Sequence, residues 1–105
     1  MIQVSYTPAA WAAQLKSPQN RIEVVRPLIE RNGAKLTNAW YAFGDADLIL
    51  ILEGGDNVTT AASSIAAAAG GAVSSIKTTV LMSVEEGMAA IKQAGEVAGV
   101  YKPPA

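Results

Sequence analysis

The stretch Asp47-Leu48-Ile49-Leu50-Ile51-Leu52-Glu53 sets five large aliphatic residues in succession between two acidic ones. Successive side chains of a strand point to opposite faces, so this run leaves neither face suited to contact with water. The helices expected from the rest of the chain can cover only one face of a sheet. The sequence therefore predicts a homo-oligomer, a dimer or a larger assembly built from it, in which a second subunit covers the other face.

Composition limits the class of protein. A chain of 105 residues is long enough for one core, so we expect one domain over residues 1–105. The formal charge is −1 and no lysine or arginine cluster is present, which argues against nucleic acid or a membrane as partner. No leader pattern and no run of bilayer length is found, and cysteine is absent, so a cytoplasmic location is expected.

Hydrophobic periodicity and turn residues predict an alternation of strands and helices. Ile2, Val4 and Tyr6 alternate with polar residues as in a half-buried strand. Further strands are expected over residues 35–43, 47–53 and 73–82. Helices are expected over residues 9–15 and 19–32, between Asp56 and Gly70, and between Ser83 and Gly95, with an extended tail over 96–105.

Several local signals support these assignments. Thr7-Pro8 and Ser17-Pro18 each place a hydroxyl before a proline and predict the starts of the first two helices. Pro27 is expected to bend the second helix. The third helix is expected to pack on the sheet through an apolar stripe. In the fourth strand, apolar and polar residues alternate, so three apolar residues share one face. The stripe is Val58, Ala62, Ile65 and Ala69, and the alternating residues are Ile76, Val80 and Met82.

This order predicts an α+β protein with the ferredoxin-like βαββαβ arrangement. Its antiparallel sheet would carry the helices on one face, and the helix after the fourth strand would be an addition to it. The short connection Gly44-Asp45-Ala46 requires an antiparallel hairpin between the second and third strands.

The chain resembles the GYD-domain family of small bacterial proteins. The resemblance rests on Ser5-Tyr6-Thr7-Pro8, Trp11, Ser17-Pro18-Gln19-Asn20-Arg21, Phe43-Gly44-Asp45-Ala46-Asp47, Asp56-Asn57, Lys77-Thr78-Thr79 and Val84-Glu85-Glu86. Gly44 and Asp47 stand for the glycine and aspartate of the family motif, whereas Ala46 occupies its tyrosine position. The resemblance implies a ferredoxin-like fold of the dimeric α/β-barrel kind and no particular activity.

Residue types that carry much of enzyme chemistry are missing. The chain contains neither histidine nor cysteine, and its carboxylates are scattered, so we expect no metal, no haem and no other cofactor. The pair Gly54-Gly55 lies between a strand and a helix, but it has acidic neighbours and no lysine. A tight turn explains this pair better than a phosphate-binding loop does.

The candidate site residues are the chain's best combination of apolar walls and orienting charges: Trp11, Trp40, Tyr41, Asp47 and Lys77. Lys77 could be the cation of a pocket between subunits, but solvent exposure on an edge strand explains it better. Asp47 could bind backbone donors of the hairpin, pair with Arg21, or serve as a general base. The aromatic residues could equally be core or interface anchors.

Two classes of function fit these residues. The first is a non-enzymatic oligomeric module that binds a small, partly apolar ligand or a protein partner. The second is a small cofactor-independent oxygenase or isomerase with Asp47 or Lys77 as its base, in a pocket between subunits or beside the sheet. The first is favoured because no nucleophile, base and orienting group can be assembled from the sequence.

Overall fold

The computed structural model describes residues 1–104, which form one four-stranded sheet and four helices. The elements in chain order are β1 (Ile2–Tyr6), α1 (Pro8–Lys16), α2 (Arg21–Arg31), β2 (Ala34–Tyr41), β3 (Leu48–Gly54), α3 (Asn57–Ala69), β4 (Val73–Thr78) and α4 (Val84–Ala98). The strand order is β2-β3-β1-β4, and every neighbouring pair is antiparallel. The predicted α+β class and the predicted hairpin of β2 and β3 are confirmed.

The core lies on one face of this sheet. Leu48 and Leu50 of β3 are 2% and 5% exposed, and Val4 and Leu36 on the neighbouring strands are buried with them. Ile29 of α2 packs against these strand residues as part of the same buried cluster. Alternate residues of the aliphatic run therefore build the core, as the period-two geometry of a strand requires.

The opposite face of the sheet, called the open face below, carries the other residues of the run. Directly opposed residues of antiparallel strands share a face, and a single row across the sheet joins Trp40, Ile49, Gln3 and Lys77. Ser5, Ile51 and Ser75 belong to the same face, and none of these seven residues is part of the buried core cluster.

Two caps define the first helices, and one of them differs from the prediction. The Thr7 hydroxyl accepts a hydrogen bond from the backbone N–H of Ala10 at 3.1 Å, as predicted for α1. Ser17 does not begin α2; it ends α1, and Asn20 begins α2 by accepting from the Ile22 N–H at 3.1 Å. The residue before a proline avoids the helical region, which suits a helix end as well as a helix start.

The helix α3 is rotated relative to the prediction, because apolar residues expected to face the sheet are exposed. The capping residue Asp56 is confirmed, because its carboxylate accepts from the Thr59 N–H at 2.8 Å. Val58 and Ile65, however, are exposed. The Asn32 amide donates to the Ser63 hydroxyl at 2.7 Å and thereby fixes the rotation of α3 with its polar side inward.

The strand β4 is shorter than predicted. It ends at Thr78, and the predicted apolar members Val80 and Met82 are exposed beyond it. The physical reason is the length of its partner, since Ile2 at the start of β1 already pairs with Thr78. Beyond this pair, Thr79 and Met1 form two hydrogen bonds of 2.8 Å, one from the Thr79 N–H to the Met1 carbonyl and one from the Met1 amino group to the Thr79 carbonyl, and residues 80–82 lie outside the strand.

The helix α4 starts as predicted and ends later. Ser83 and Glu86 form the predicted capping box, with reciprocal hydrogen bonds of 3.0 and 3.2 Å. The helix then passes through Gly95 and continues to Ala98, so the expectation of an extended tail over 96–105 is wrong for its first three residues. Residues 100–104 lie outside helices and strands, and residue 105 lies outside the described residues.

The helix α4 stands away from the sheet. All of its residues except Gly87 are exposed, and none is buried. The radius of gyration is 17.7 Å and the longest extent is 59 Å, whereas a compact chain of this length has a radius of gyration of about 13 Å. No helix within residues 1–104 has both the length and the apolar character that crossing a membrane requires.

Candidate functional site

A cleft of about 280 Å³ lies where α1, the linker of residues 17–20 and the start of β4 meet. One wall is the aromatic ring of Tyr6 at the end of β1. Three small side chains leave the space open: Ala10 and Ala13 on α1, and Ala72 just before β4. The cleft therefore exists because alanines stand where larger residues would fill the gap.

Polar groups surround the rest of the cleft. Gln14 lies on the last turn of α1, Ser17 and Gln19 lie on the linker, and Arg21 is the first residue of α2. Amides and a hydroxyl can both donate and accept hydrogen bonds, and the guanidinium only donates. The cleft thus combines apolar walls with a few orienting groups, which is typical of small-molecule sites.

Tyr6 is held firmly in this position. The residue is 9% exposed, and the ring of Trp11 packs on the Tyr6 ring edge to face with 5.3 Å between the ring centroids. Burial raises the pKa of the Tyr6 phenol above its usual value of 10.0, and Tyr41 and Asp47 act in the same direction while Arg21 opposes them. The phenol is consequently uncharged at neutral pH and adds no negative charge to the cleft.

Asp47 ties the start of β3 to β1. Its carboxylate Oδ2 accepts a hydrogen bond from the backbone N–H of Tyr6 at 2.9 Å, and its own N–H donates to the carbonyl of Val4 at 2.9 Å. The donor is thus a residue of β1 and not of the hairpin. Within residues 1–104 Asp47 makes no ion pair with Arg21, since the ion pairs there involve Arg26 alone.

The five predicted site residues lie on two different faces. Tyr41 shares the core face with Leu48, and Trp11 packs on the Tyr6 ring on that side. Asp47 lies just before β3 and contacts the backbone of Tyr6. The other two, Trp40 and Lys77, lie on the open face at opposite edges of the sheet. The structure therefore does not bring the five together in one pocket, and none of them lines the cleft of about 280 Å³.

The surroundings of Lys77 are shallow. A depression of about 20 Å³ lies on the open face beside Lys77, Gln3 and Ser5. A single water molecule needs on the order of 10–15 Å³. Lys77 is exposed on β4, which is an edge strand of this sheet.

The residues around the cleft were missed as site residues by the sequence reasoning. The sequence pattern indicates only ordinary strand, helix and linker positions for Tyr6, Gln14, Ser17 and Gln19. It suggests Arg21 only as a partner of Asp47. One signal could have found the linker: a polar connection between two short helices, close to the end of a strand, is a common position for binding residues.

Comparison with known proteins identifies the family. The sequence pattern of the GYD domain matches residues 1–91, a range that includes every residue of the cleft and ends inside α4. Comparisons with curated proteins and with solved structures gave no match. Because the matched range covers most of the 105 residues, the chain belongs to the GYD domain family.

Proposed function

We propose that this protein is a homo-oligomeric binding module that holds a small, partly apolar ligand in the cleft beside Tyr6. The observation that carries the proposal is the cleft itself: about 280 Å³ of space with alanine and tyrosine walls and polar groups at its rim. Sites for small molecules are of this kind, with volumes from about 300 Å³ upward, so the ligand would be small.

In this proposal the chain has the ferredoxin-like arrangement and forms a dimer of the α/β-barrel kind. The strand order β2-β3-β1-β4 and the packing of α2 on the core face support this arrangement. In such a dimer the open faces of two copies would meet. Ile49 and Ile51 would supply the apolar centre of this contact, and Trp40, 54% exposed at its edge, would be covered.

The apolar surface on and just before α4 also fits a contact with a second copy of the chain. Val84, Met88 and Ile91 recur at helical spacing and are exposed, as are the apolar residues 80–82 that lead into the helix. Single exposed apolar residues are ordinary, but a continuous set of this extent marks an interaction surface. Since α4 directly follows the edge strand β4, a second copy docked on the open face would lie within its reach.

The cleft can be tested by filling it. Ala13 lines the cleft on α1 and is exposed, so Ala13→Phe would occupy the space without disturbing the core. Ala12→Phe is the matched control, because Ala12 is the exposed neighbour on the same helix and does not line the cleft. Two probes, benzoate and benzamide, would be titrated into isotope-labelled protein and followed by NMR.

We expect at least one probe to shift the amide signals of Ala10, Ser17 and Ala72 in the wild-type protein and in Ala12→Phe. The same signals should stay in place in Ala13→Phe, since the added ring excludes the probe. Shifts that persist in Ala13→Phe, or the absence of shifts with either probe at millimolar concentration, would refute the cleft as a binding site.

A further inference from the structure

Arg21 differs from the other partly buried arginine of the described chain. Arg26 lies within 4.0 Å of the Glu23 carboxylate and 3.9 Å of the Glu30 carboxylate, and it also donates to the carbonyl of Leu36. Arg21 is equally only partly exposed but makes no ion pair within residues 1–104. A cation removed in part from water without a counter-ion is an unfavourable arrangement unless something else supplies the charge.

The cleft contains nothing that would supply it. Its described lining consists of alanines, a tyrosine, a serine and two glutamines besides Arg21, so no carboxylate faces the guanidinium there. Asp47, the acidic residue that acts on the Tyr6 phenol, does not line the cleft and makes no ion pair with Arg21 within residues 1–104. The cleft is thus positively charged and otherwise neutral.

We propose that the ligand of the cleft is a small carboxylate with a short apolar body, bound through its anionic end by Arg21. The proposal rests on the proposed function and names the ligand class for the same cleft. A guanidinium binds the two oxygens of a carboxylate with paired hydrogen bonds. The alanine walls would contact the apolar body, and the amides of Gln14 and Gln19 could complete the hydrogen bonding of the carboxylate.

A single charge favours a carboxylate over a phosphate group. A phosphate monoester carries a charge of about −1.5 to −2 near neutral pH, and the described lining of the cleft contributes one cation only. One guanidinium neutralises one carboxylate, so the charge of the bound pair is balanced.

The test compares benzoate with its neutral analogue benzamide on the full chain. Both are titrated by NMR into the wild-type protein, Arg21→Gln and Arg31→Gln, the last being the matched control at the exposed end of α2. We expect benzoate to bind more tightly than benzamide to the wild-type protein. Its affinity should fall roughly tenfold to a hundredfold in Arg21→Gln, the range of one charge-assisted interaction, and stay unchanged in Arg31→Gln.

The outcomes separate the two proposals. If benzamide binds the cleft as well as benzoate and Arg21→Gln changes neither, the carboxylate assignment is wrong while the cleft remains a binding site. If neither probe binds the wild-type protein, both proposals fail. Equal losses in Arg21→Gln and Arg31→Gln would overturn the assignment by showing a general charge effect. Arg21→Lys keeps the charge and should retain part of the affinity, which guards against a misfolded Arg21→Gln.

Discussion

Replacement of Asp47 by asparagine should lower the free energy of unfolding, because it weakens the hydrogen bond that Asp47 accepts from β1. The Asp47 carboxylate accepts the Tyr6 N–H at 2.9 Å, and this contact is partly buried. A hydrogen bond to a charged group contributes about 1.5–3 kcal/mol and a neutral one about 0.5–1.5 kcal/mol. Asparagine keeps an oxygen acceptor but loses the charge, so the free energy of unfolding should fall by about 1 kcal/mol.

Asp47→Ala removes the acceptor altogether and should cost about 2 kcal/mol, because the Tyr6 N–H loses its partner. In a domain of this size 1 kcal/mol corresponds to a shift of about 4–8 °C in Tm. Thermal unfolding is measured at one protein concentration, since assembly makes Tm depend on concentration.

Two controls accompany these variants. Asp45→Asn changes an exposed carboxylate whose side chain makes no hydrogen bond within residues 1–104, and Lys102→Met changes an exposed lysine outside the helices and strands. Both should leave Tm unchanged. If Asp47→Asn melts at the same temperature as Asp45→Asn, Asp47 does not support the fold in the way described, and a dedicated role in binding would explain it better.

Three further changes have defined outcomes. Gly95→Ala should increase the helical circular dichroism signal and stabilise α4 by about 1 kcal/mol, because Gly95 lies inside the helix and is not among the glycines with positive φ; a loss of helix would show that Gly95 ends it. Tyrosine ionisation is followed by absorbance as the pH is raised, and Tyr6→Phe should remove the tyrosine that ionises above pH 10. Because the raised pKa belongs to the folded state, wild-type stability should also fall as pH rises above 10, and less so in Tyr6→Phe; equal pH profiles would contradict this. Ile49→Lys should yield monomer or aggregate, since it puts a charge at the proposed interface, whereas Ala12→Lys, at an exposed position of α1 on the other side of the sheet, should leave the assembly intact.

The features of the fold that could be predicted are those set by neighbouring residues. Thr7, Asp56 and Ser83 each accept a hydrogen bond from a backbone N–H three residues later, so the helix starts follow from the local sequence. The five-residue aliphatic run likewise identifies β3 by itself. Where two signals of similar strength compete, as at Ser17 and Asn20, the local sequence does not decide between them.

The features that could not be predicted depend on distant parts of the chain. The end of β4 is set by where β1 begins, and the rotation of α3 is set by the hydrogen bond from Asn32 to Ser63. The cleft has the same origin, because Tyr6, Arg21 and Ala72 are far apart in sequence and meet only in the folded chain. No spacing in the sequence indicates such a meeting.

The most direct measurement of the central claim is the mass of the wild-type protein in solution, determined by sedimentation equilibrium at micromolar concentration. The claim is that the open face and α4 are covered by further copies of the chain. It predicts a mass of at least twice the 10.8 kDa of the single chain. A stable species of 10.8 kDa would contradict it.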